Sequence, residues 1–406
     1  MRIIEVYNSK DLERLLKKIK VDSYGIKIML PKTVRRLILI RGVSNIYANI
    51  LKQELLSLGG DVAVSRGALT GQDKTTDCLI MGNLSQLIGL REKLKKQPFG
   101  LDRLAKDISN ALNNYQKESF TLKLGDYRLN LNNKKVLIMG IVNLTPDSFS
   151  GDGLYQIPNV KSRLSEIIDF VEKKVQDGAD IIDVGGQSSR PGARPVSLQE
   201  ELERIIPVLK KMVKKIKVPI SIDTYRPEVA EQALDNGVSL VNDITGLRNP
   251  KMRKLLKRYK KAAIVIMHMQ GMPSTMQINP HYESLIDEII EFLSRVIKKA
   301  EDSGIERERI IVDPGIGFGK TLEHNLLILK ALKEFKILGR PILVGPSRKS
   351  FIGKILNLEP SQRLYGSIAS VCLCAINGAS IVRVHDVKET RQALSILENV
   401  FKINYT

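Results

Sequence analysis

The amino-acid sequence is poor in several residue types that carry common chemistries. It contains no tryptophan, three cysteines and four histidines among 406 residues. Cys372 and Cys374 are separated by one residue, a spacing that matches neither a CxxC redox pair nor a zinc knuckle. We therefore expect structural thiols and a reducing, cytoplasmic location. The histidines show no HxH or HExxH spacing, which argues against a zinc site.

Long apolar runs are also missing. None approaches the roughly 18 residues needed to cross a bilayer, and the first residues mix charged with apolar side chains. We therefore expect neither a membrane partner nor a signal peptide. The formal net charge is +20, but basic stretches such as 91–96 carry no interleaved aromatic residues for base stacking. This pattern argues against nucleic acid as a partner.

A chain of 406 residues is too long for one ordinary core and predicts at least two folded units. Residues 1–117 alternate short strand-like and helix-like stretches, which indicates a small α/β domain of unknown role. The predicted strands are 26–30, 37–40, 61–65 and 78–81, and the predicted helices are 45–58, 84–95 and 101–115.

The second predicted domain, 118–406, has the strand–helix rhythm of a barrel. Two alternating stretches around Gly125 and Asp126 predict a β-hairpin that closes the barrel floor. Eight strands are predicted after it: 136–142, 180–185, 219–223, 239–243, 263–268, 309–313, 341–345 and 380–384. Eight strands alternating with helices over about 270 residues are typical of a (β/α)8 TIM barrel. An open, doubly wound sheet is less consistent, because residues 143–150 lack its glycine fingerprint.

Polar side chains end nearly every predicted barrel strand, and the active site of this fold lies at those ends. They are Asn143, Asp183, Asp223, Asn242, Asp243, His268, Asp313, Ser347, Arg348, Lys349, Arg383 and His385. A buried carboxylate must be paired, and two adjacent N–H donors on a planar ring satisfy it. Asparagine offers a donor and an acceptor side by side. The set suits a pterin-like or guanine-like heterocycle.

The ends of the last strand and the first strand suggest a phosphate site. Arg383 and His385 are cationic donors for phosphate oxygens, and Asn143 could join a Mg²⁺ shell completed by water and phosphate. The glycine-rich run 315–321 suggests a P-loop, but that pattern needs glycine where Pro314 stands. We expect these glycines to let a loop approach the ligand closely.

In order along the chain, several motifs resemble those of dihydropteroate synthases. The first is MGIVNLTPDSFS at 139–150 and the second is DVGGQSSRPGA at 183–193. Further matches follow at 222–224, 242–243, 267–271, 313–320, 345–350, 363–367 and 383–386. The resemblance covers about 120–400 and implies a homodimeric transferase that makes dihydropteroate and pyrophosphate from a dihydropterin pyrophosphate and p-aminobenzoate.

The resemblance also implies roles for individual residues, with Mg²⁺ as the cofactor. Pterin binding would fall to Asp223, Asn242, Met267, Asp313, Gly345 and Lys349. Pyrophosphate binding would fall to Asn143, Arg190, Arg383 and His385, with Asn143 also at the metal. Aminobenzoate binding would fall to Ser189, Arg190, Phe318 and Ser350. The catalytic set would be Asp147, Asp223, Asp313, Lys349, Arg383 and His385.

Two residues depart from the family pattern, and two rival functions stay open. Gln187 and Ser189 stand where the family usually has Glu and Thr, which leaves the closure of that loop open. A pterin-dependent methyltransferase serving a corrinoid protein would share the barrel, but it has no use for a pyrophosphate site. A synthase that uses a different arylamine acceptor is not excluded by the sequence.

Overall fold

The computed structural model describes residues 1–2, 4, 9–132, 135–145, 163–187 and 196–403. The chain divides into two compact units, Met1–Asn113 and Asn114–Lys402. Three of the predicted site residues, Asp147, Ser189 and Arg190, lie outside the described residues.

The first unit contains a three-stranded antiparallel sheet in the order β1–β3–β2, surrounded by helices. Its elements are α1 (Ser9–Lys18), α2 (Ser23–Thr33), β1 (Arg35–Ser44), α3 (Asn45–Leu56), β2 (Asp61–Ala63), α4 (Arg66–Thr70), β3 (Thr75–Asn83), α5 (Leu84–Leu94) and α6 (Leu101–Gln116). Leu51 and Leu55 of α3 and Leu87 of α5 are fully buried, together with Ile80 of β3. One apolar cluster therefore joins the sheet to its helices.

The strand predicted at 26–30 is wrong, because these residues lie in α2. The Asp22 carboxylate accepts hydrogen bonds from the backbone N–H groups of Tyr24 and Gly25, each at 2.9 Å, and so caps the helix. A short apolar run has no period that separates a buried strand from a helix, and here the cap favours the helix. Helices α1 and α4 were not predicted.

The second unit begins with the predicted hairpin and continues as alternating parallel strands and helices. The strands are β4 (Ser119–Leu124), β5 (Tyr127–Asn132), β6 (Leu137–Asn143), β7 (Ile181–Gly185), β8 (Ile220–Asp223), β9 (Leu240–Asp243), β10 (Ala263–Met267), β11 (Ile310–Asp313), β12 (Leu343–Val344) and β13 (Ile381–Val384). The helices are α7 (Leu164–Gln176), α8 (Leu198–Lys215), α9 (Pro227–Asp235), α10 (Pro250–Arg258), α11 (Leu285–Asp302), α12 (Leu322–Ala331), α13 (Ser350–Leu356), α14 (Leu364–Ile376) and α15 (Val387–Lys402). Short 3₁₀ helices occupy Arg307–Arg309, Leu332–Leu338 and Pro360–Gln362.

The strands from β6 to β13 form a closed parallel barrel. Their order is β11–β10–β9–β8–β7–β6–β13–β12, and a parallel bridge between Val312 and Ile342 closes the ring. The hairpin seals its floor, where buried Leu122, Leu124 and Leu131 pack against inward-facing residues of the barrel strands. The predicted (β/α)8 barrel and its hairpin are confirmed, and the open end lies where the strands finish.

Within the described ranges, the model contains no helix that is long and apolar enough to span a membrane. Cys78 and Cys374 are buried, Cys372 is half-buried, and all three are free thiols.

Candidate active site

Arg383 joins two carboxylates inside the mouth of the barrel. Its Nε lies 2.6 Å from Oδ2 of Asp183, and its Nη2 lies 2.7 Å from Oδ2 of Asp223. The Nδ2 of Asn242 donates to the same Asp183 oxygen at 3.1 Å. Four strands, β13, β7, β8 and β9, thus meet in one charged network. The sequence predicts ligand-binding roles for Arg383, Asp223 and Asn242. It predicts Asp183 as a strand-end residue but assigns no ligand to it.

Asp183 is the most deeply buried member of this network. Its side chain is inaccessible to solvent, and its Oδ1 has no hydrogen-bond partner among the described residues. Ser221, its register partner on β8, likewise has a buried hydroxyl without a partner in the described part of the chain. Buried polar atoms are nearly always satisfied in folded proteins. Both oxygens are inaccessible from the barrel mouth, so Asp183 acts on a ligand only through Arg383 and Asn242, which it holds in place.

Asp223 ends β8 beside these groups, and its ionisation is finely balanced. Burial raises the pKa of its carboxyl to about 7, and the neighbouring Asp183 carboxylate acts in the same direction. The Arg383 guanidinium opposes both effects. The acid is therefore poised near neutrality, which is common for groups in functional sites.

Asp313 ends β11 and is the second poised carboxyl. The backbone N–H of Gly315 donates to its Oδ1 at 2.7 Å, but burial still raises its pKa to about 6. Gly315 has φ +74°, and a Cβ added there would lie 2.0 Å from the carbonyl oxygen of His268. Only glycine fits this turn, because the loop packs against the backbone of His268; the predicted close approach to a ligand stays a prediction.

The loop after β11 meets the loop after β12 through an aromatic ring. The Nζ of Lys349 lies 4.1 Å from the centroid of Phe318. Ser350 follows directly as the first residue of α13 and is exposed. A Cβ on Gly317 would lie 3.0 Å from Cδ of Lys349, so the glycine leaves room for the lysine stem. The predicted pterin and aminobenzoate residues of these loops are therefore adjacent.

Apolar side chains line part of the same mouth. Met267, at the end of β10, is buried in a small cluster with Ile244 and Met269, and Phe318 packs against it. Gly345 follows β12 and lies beside Arg383, whose Cβ would be 3.6 Å from a Cβ added to the glycine. These residues provide flat, apolar walls of the kind that a planar ring requires.

The predicted pyrophosphate residues occupy the ends of β6 and β13. His385 Nδ1 lies 3.0 Å from the Ser347 hydroxyl, which fixes the orientation of the imidazole ring. Asn143 ends β6, and its Oδ1 lies 3.5 Å from the position that a Cβ on Gly185 would take. Asn143 and Gly185 therefore lie side by side at the ends of neighbouring strands.

Asp243 and His268 also lie at strand ends, but their polar atoms contact neighbouring protein groups. Asp243 accepts from the backbone of Thr245 at 2.8 Å and of Leu247 at 2.9 Å, so it shapes its own loop. The Nζ of Lys320 lies 3.1 Å from His268 Nδ1. Burial, reinforced by that lysine, lowers the pKa of His268 to about 2. A neutral histidine that accepts from a lysine is not arranged to bind a metal.

A charged network around Glu201 was not predicted from the sequence. Glu201, in the first turn of α8, is almost completely buried. It accepts from the Thr224 hydroxyl at 2.9 Å and pairs with Arg226 Nη1 at 2.7 Å. Thr224 and Arg226 directly follow the β8 strand that ends in Asp223. A glutamate in the first turn of a helix is usually solvated, so no local signal marked it.

Comparisons with known proteins agree with this geometry. Residues 139–385 match the model of a family described as pterin binding enzyme. A dihydropteroate synthase of Synechocystis sp. is 46% identical over 271 residues, covering 66% of this chain and 91% of that protein. A crystal structure of Burkholderia cenocepacia dihydropteroate synthase complexed with 7,8-dihydropteroate is 37% identical, with a TM-score of 0.62, and the match covers 71% of this chain and 98% of that one.

One further relative also matches the first unit. A probable bifunctional folylpolyglutamate synthase/dihydropteroate synthase of Halobacterium salinarum is 37% identical over 394 residues. The match covers 97% of this chain, so it reaches well into the first 113 residues, and it covers 46% of that protein. A sequence similar to the first unit is thus joined to a sequence similar to the barrel in a protein of another organism.

Proposed function

We propose that this chain, which belongs to the family of pterin-binding enzymes, catalyses the dihydropteroate synthase reaction. It joins 6-hydroxymethyl-7,8-dihydropterin pyrophosphate to p-aminobenzoate and releases 7,8-dihydropteroate and pyrophosphate. The observation that carries the proposal is the meeting of Asp223, Asn242 and Asp313 in the barrel mouth, with Lys349 electrostatically coupled to both acids. Relatives named for this reaction share the barrel at 46% and 37% identity.

The buried groups match the edge of a 2-amino-4-oxopyrimidine ring. An ionised carboxylate accepts from two adjacent N–H donors, and an asparagine supplies one donor and one acceptor. Asp313 and Asp223 are the acceptors available, and Asn242 is held in place by its bond to Asp183. Lys349 adds a cationic donor close to the Phe318 face. Asp223, Asn242 and Asp313 lie at the ends of strands, where the scaffold is rigid, whereas Lys349 lies directly before α13.

We propose a dissociative order for the reaction. The bond between the pterin methylene carbon and the pyrophosphate oxygen breaks first, and pyrophosphate leaves with the electron pair. The resulting cation is delocalised over the dihydropterin ring, where Asp223 and Asp313 offset its charge. Asp147, which lies outside the described residues, would assist. The amine lone pair of p-aminobenzoate then forms the carbon–nitrogen bond, and the nitrogen loses a proton. A ternary complex of enzyme, pterin pyrophosphate and Mg²⁺ that never ionises without amine would count against this order.

We infer that Arg383 and His385 receive the pyrophosphate and that Mg²⁺ accompanies it. Among the described residues there is no group of three or more His, Cys, Asp or Glu side chains that could hold a metal. Mg²⁺ commonly keeps several waters and is held by one or two protein oxygens plus substrate phosphates, a role that the amide oxygen of half-buried Asn143 fits. When bound, the metal would offset charge on the leaving group. Calorimetry of pyrophosphate binding with and without Mg²⁺, on the native chain and Asn143→Ala, tests this inference.

The two rival functions differ from the proposal in their acceptors. A methyltransferase serving a corrinoid protein would make no use of the cationic end at Arg383 and His385, and the relatives named above are synthases. A different arylamine would leave the pterin site unchanged and alter only the region around Phe318 and Ser350. The choice of amine is therefore a question for the assay.

The decisive assay uses purified full chain, dihydropterin pyrophosphate, Mg²⁺ and a series of arylamines, with pyrophosphate release as the readout. We expect release that depends on p-aminobenzoate and is strongly reduced in Asp313→Asn. Release with another arylamine alone would redirect the proposal to that acceptor. No release with any arylamine would sink the synthase function.

We further propose that the chain is a cytoplasmic homodimer joined through barrel helices. Two neighbouring helices, α14 and α15, expose apolar side chains that a monomer would leave in water: Leu373, Ile376, Ile396 and Val400. The free thiols agree with a reducing compartment. Light scattering on the native chain should give twice the chain mass, and Ile396→Glu should shift it toward the monomer. An unchanged mass in that variant would place the interface elsewhere.

A further inference from the structure

The floor of the barrel carries a cavity that the proposed reaction does not use. It has a volume of about 380 Å³ and lies between the hairpin, the 3₁₀ helix Arg307–Arg309 and the residues that lead into β12. Small-molecule sites usually measure roughly 300–1,000 Å³. Ile310, which begins β11, lines the cavity, whereas Asp313, which ends that strand, belongs to the active site. The two sites are therefore at opposite ends of the barrel.

The charge around this floor cavity is predominantly positive. Lys117, Arg307 and Arg340 line it, against one acidic residue, Glu308. Glu308 already forms an ion pair, because its Oε2 lies 3.1 Å from Nζ of Lys123 on β4. The wall of the cavity therefore carries more positive than negative charge.

Arg340 supplies a buried donor at this site. Its side chain is 3% exposed, one end of its guanidinium pairs with Glu301, and Nη1 donates to the carbonyl of Gly339 at 2.9 Å. Its buried Nε has no hydrogen-bond partner among the described residues. Leaving such a donor unsatisfied is costly, so the guanidinium is incompletely compensated by its protein neighbours. Burial, reinforced by Arg307, lowers the pKa of Arg340 to about 10.

The other two cations are closer to solvent and form no ion pair within the described ranges. Arg307 Nη2 donates to Oδ1 of Asn114 at 3.2 Å, a neutral partner. Lys117 Nζ lies 4.6 Å from the centroid of Phe120. Burial and the charges of Arg307 and Arg340 lower the pKa of Lys117. The three cations therefore repel one another, and an anion between them would relieve that repulsion.

The remaining wall of the cavity is apolar. Phe120 and Leu122 from β4, Ile310 from β11 and Pro341 form this wall. A fully hydrated inorganic ion would gain nothing from such a surface, whereas an anion with an apolar body would bury its body there. The combination of a cationic pole and an apolar wall is typical of sites for small organic acids.

We propose that the floor cavity binds a small amphipathic oxyanion, with its anionic head among Lys117, Arg307 and Arg340 and its apolar body against Phe120. The head is a carboxylate or a phosphate, since both accept bidentate bonds from guanidinium groups. Binding at this site is independent of the pterin and of the synthase reaction.

The lack of tryptophan in the chain allows a local test. Phe120→Trp places the only tryptophan of the variant in the cavity and keeps a ring beside Lys117. Ligands that enter the distant active site do not touch this reporter. Titration of the full chain with phenyl phosphate and with benzoate should change tryptophan emission saturably, whereas neutral benzamide should not. The more tightly bound of the two anions identifies the head group.

Substitutions then assign the response to the cavity. In the Phe120→Trp background, Arg307→Ala and Lys117→Ala should each raise the dissociation constant about tenfold, because each removes a charged contact. Arg128→Ala is the matched control, since Arg128 lies on β5 of the same hairpin, does not line the cavity and changes the net charge equally. Higher ionic strength should weaken binding in the parent and in the control.

Three results would overturn the proposal. They are no emission change with either anion, an equal response to benzamide, and equal dissociation constants in Arg307→Ala, Lys117→Ala and Arg128→Ala. Synthase activity and thermal unfolding of each variant show that the fold is intact, because none of these residues belongs to the active site.

Discussion

The two ends of one barrel gather charge of predominantly opposite sign. At the open end, Asp183, Asp223 and Asp313 are gathered around Arg383. At the floor, Lys117, Arg307 and Arg340 face a cavity with one acid on its wall. The formal net charge of +20 describes neither end. Local chemistry is therefore set by which residues finish or begin the strands, and the overall charge of the chain is a poor guide to its ligands.

The two ends also differ in the groups that contact their charged side chains. The acids of the open end are held by specific partners, Arg383 and backbone N–H groups, and burial leaves two of them with a pKa near neutrality. At the floor, Arg340 pairs with Glu301, whereas Arg307 and Lys117 contact neutral groups. The acids of the open end are therefore held by cationic and N–H partners, while two of the three floor cations form no ion pair among the described residues.

The largest expected effect tests whether the open end depends on its single bridging cation. Arg383→Gln would leave Asp183 buried without its partner, which for a buried pair costs about 3–5 kcal/mol. We expect the free energy of unfolding at pH 8 to fall by that order. The loss should be smaller at pH 5, below the pKa of about 7 of the Asp223 carboxyl that Arg383 also holds. Urea unfolding at both pH values measures the difference.

Arg258→Gln is the control for that experiment. Arg258 and Glu231 form an ion pair in which both side chains are largely exposed, 61% and 43%, and such pairs contribute about 0–1 kcal/mol. Equal destabilisation by the two substitutions would show that the Arg383 network is no more important to stability than a surface pair.

The next effect tests the pterin acceptor. Asp313→Asn keeps the shape of the side chain but replaces a carboxylate acceptor with an amide, so at least one charged hydrogen bond is lost. Such bonds contribute about 1.5–3 kcal/mol, and we expect kcat/KM for the pterin substrate to fall about a hundredfold. Asp126→Asn, at the exposed hairpin turn near the opposite end, should retain full activity. Full activity in Asp313→Asn would remove Asp313 from the site.

A smaller effect follows from the raised pKa of Asp313. Its folded pKa of about 6 lies above the usual value of 3.8, so between these values the folded state binds more protons than the unfolded state. The contribution to stability is complete below about pH 4 and is lost as pH rises through about 6. The slope is about 1.4 kcal/mol per pH unit. Wild type should lose stability relative to Asp313→Asn across this window, and parallel curves would contradict the raised pKa.

The smallest effect concerns the departure at Gln187. This residue lines a small cleft with Asp223 and Glu201, so Gln187→Glu would add a third carboxylate there. We expect a change in the KM for p-aminobenzoate of no more than about threefold, as a screened, half-exposed charge contributes less than about 1 kcal/mol. A tenfold change would show that the loop depends on this charge.

The sequence was sufficient to predict the barrel and much of its open end, because both follow local rules. Each strand is a short apolar run, and polar residues such as Asp223 and Asp313 stand at its end. The pairing of Arg383 with Asp183 was not predictable, since the two residues are 200 positions apart and meet only when the barrel closes. The roles of the individual site residues stay predictions, and Asp147, Ser189 and Arg190 lie outside the described residues.

The floor and the first unit were predicted less well, for a different reason. The floor cavity brings Lys117 together with Arg307 and Arg340, and no motif joins residues so distant in sequence. In the first unit, the stretch 26–30 has strand-like composition but is helical, since Asp22 caps it. Short apolar runs carry too little periodicity to decide between the two structures.

Equilibrium binding of 6-hydroxymethylpterin to the purified full chain tests the pterin site most directly, because it needs neither Mg²⁺ nor an amine. Calorimetry should show one site per chain in the native protein and in Asp126→Asn, and affinity weakened about tenfold or more in Asp313→Asn. Equal affinity in all three proteins would contradict the assignment of the open end to a pterin.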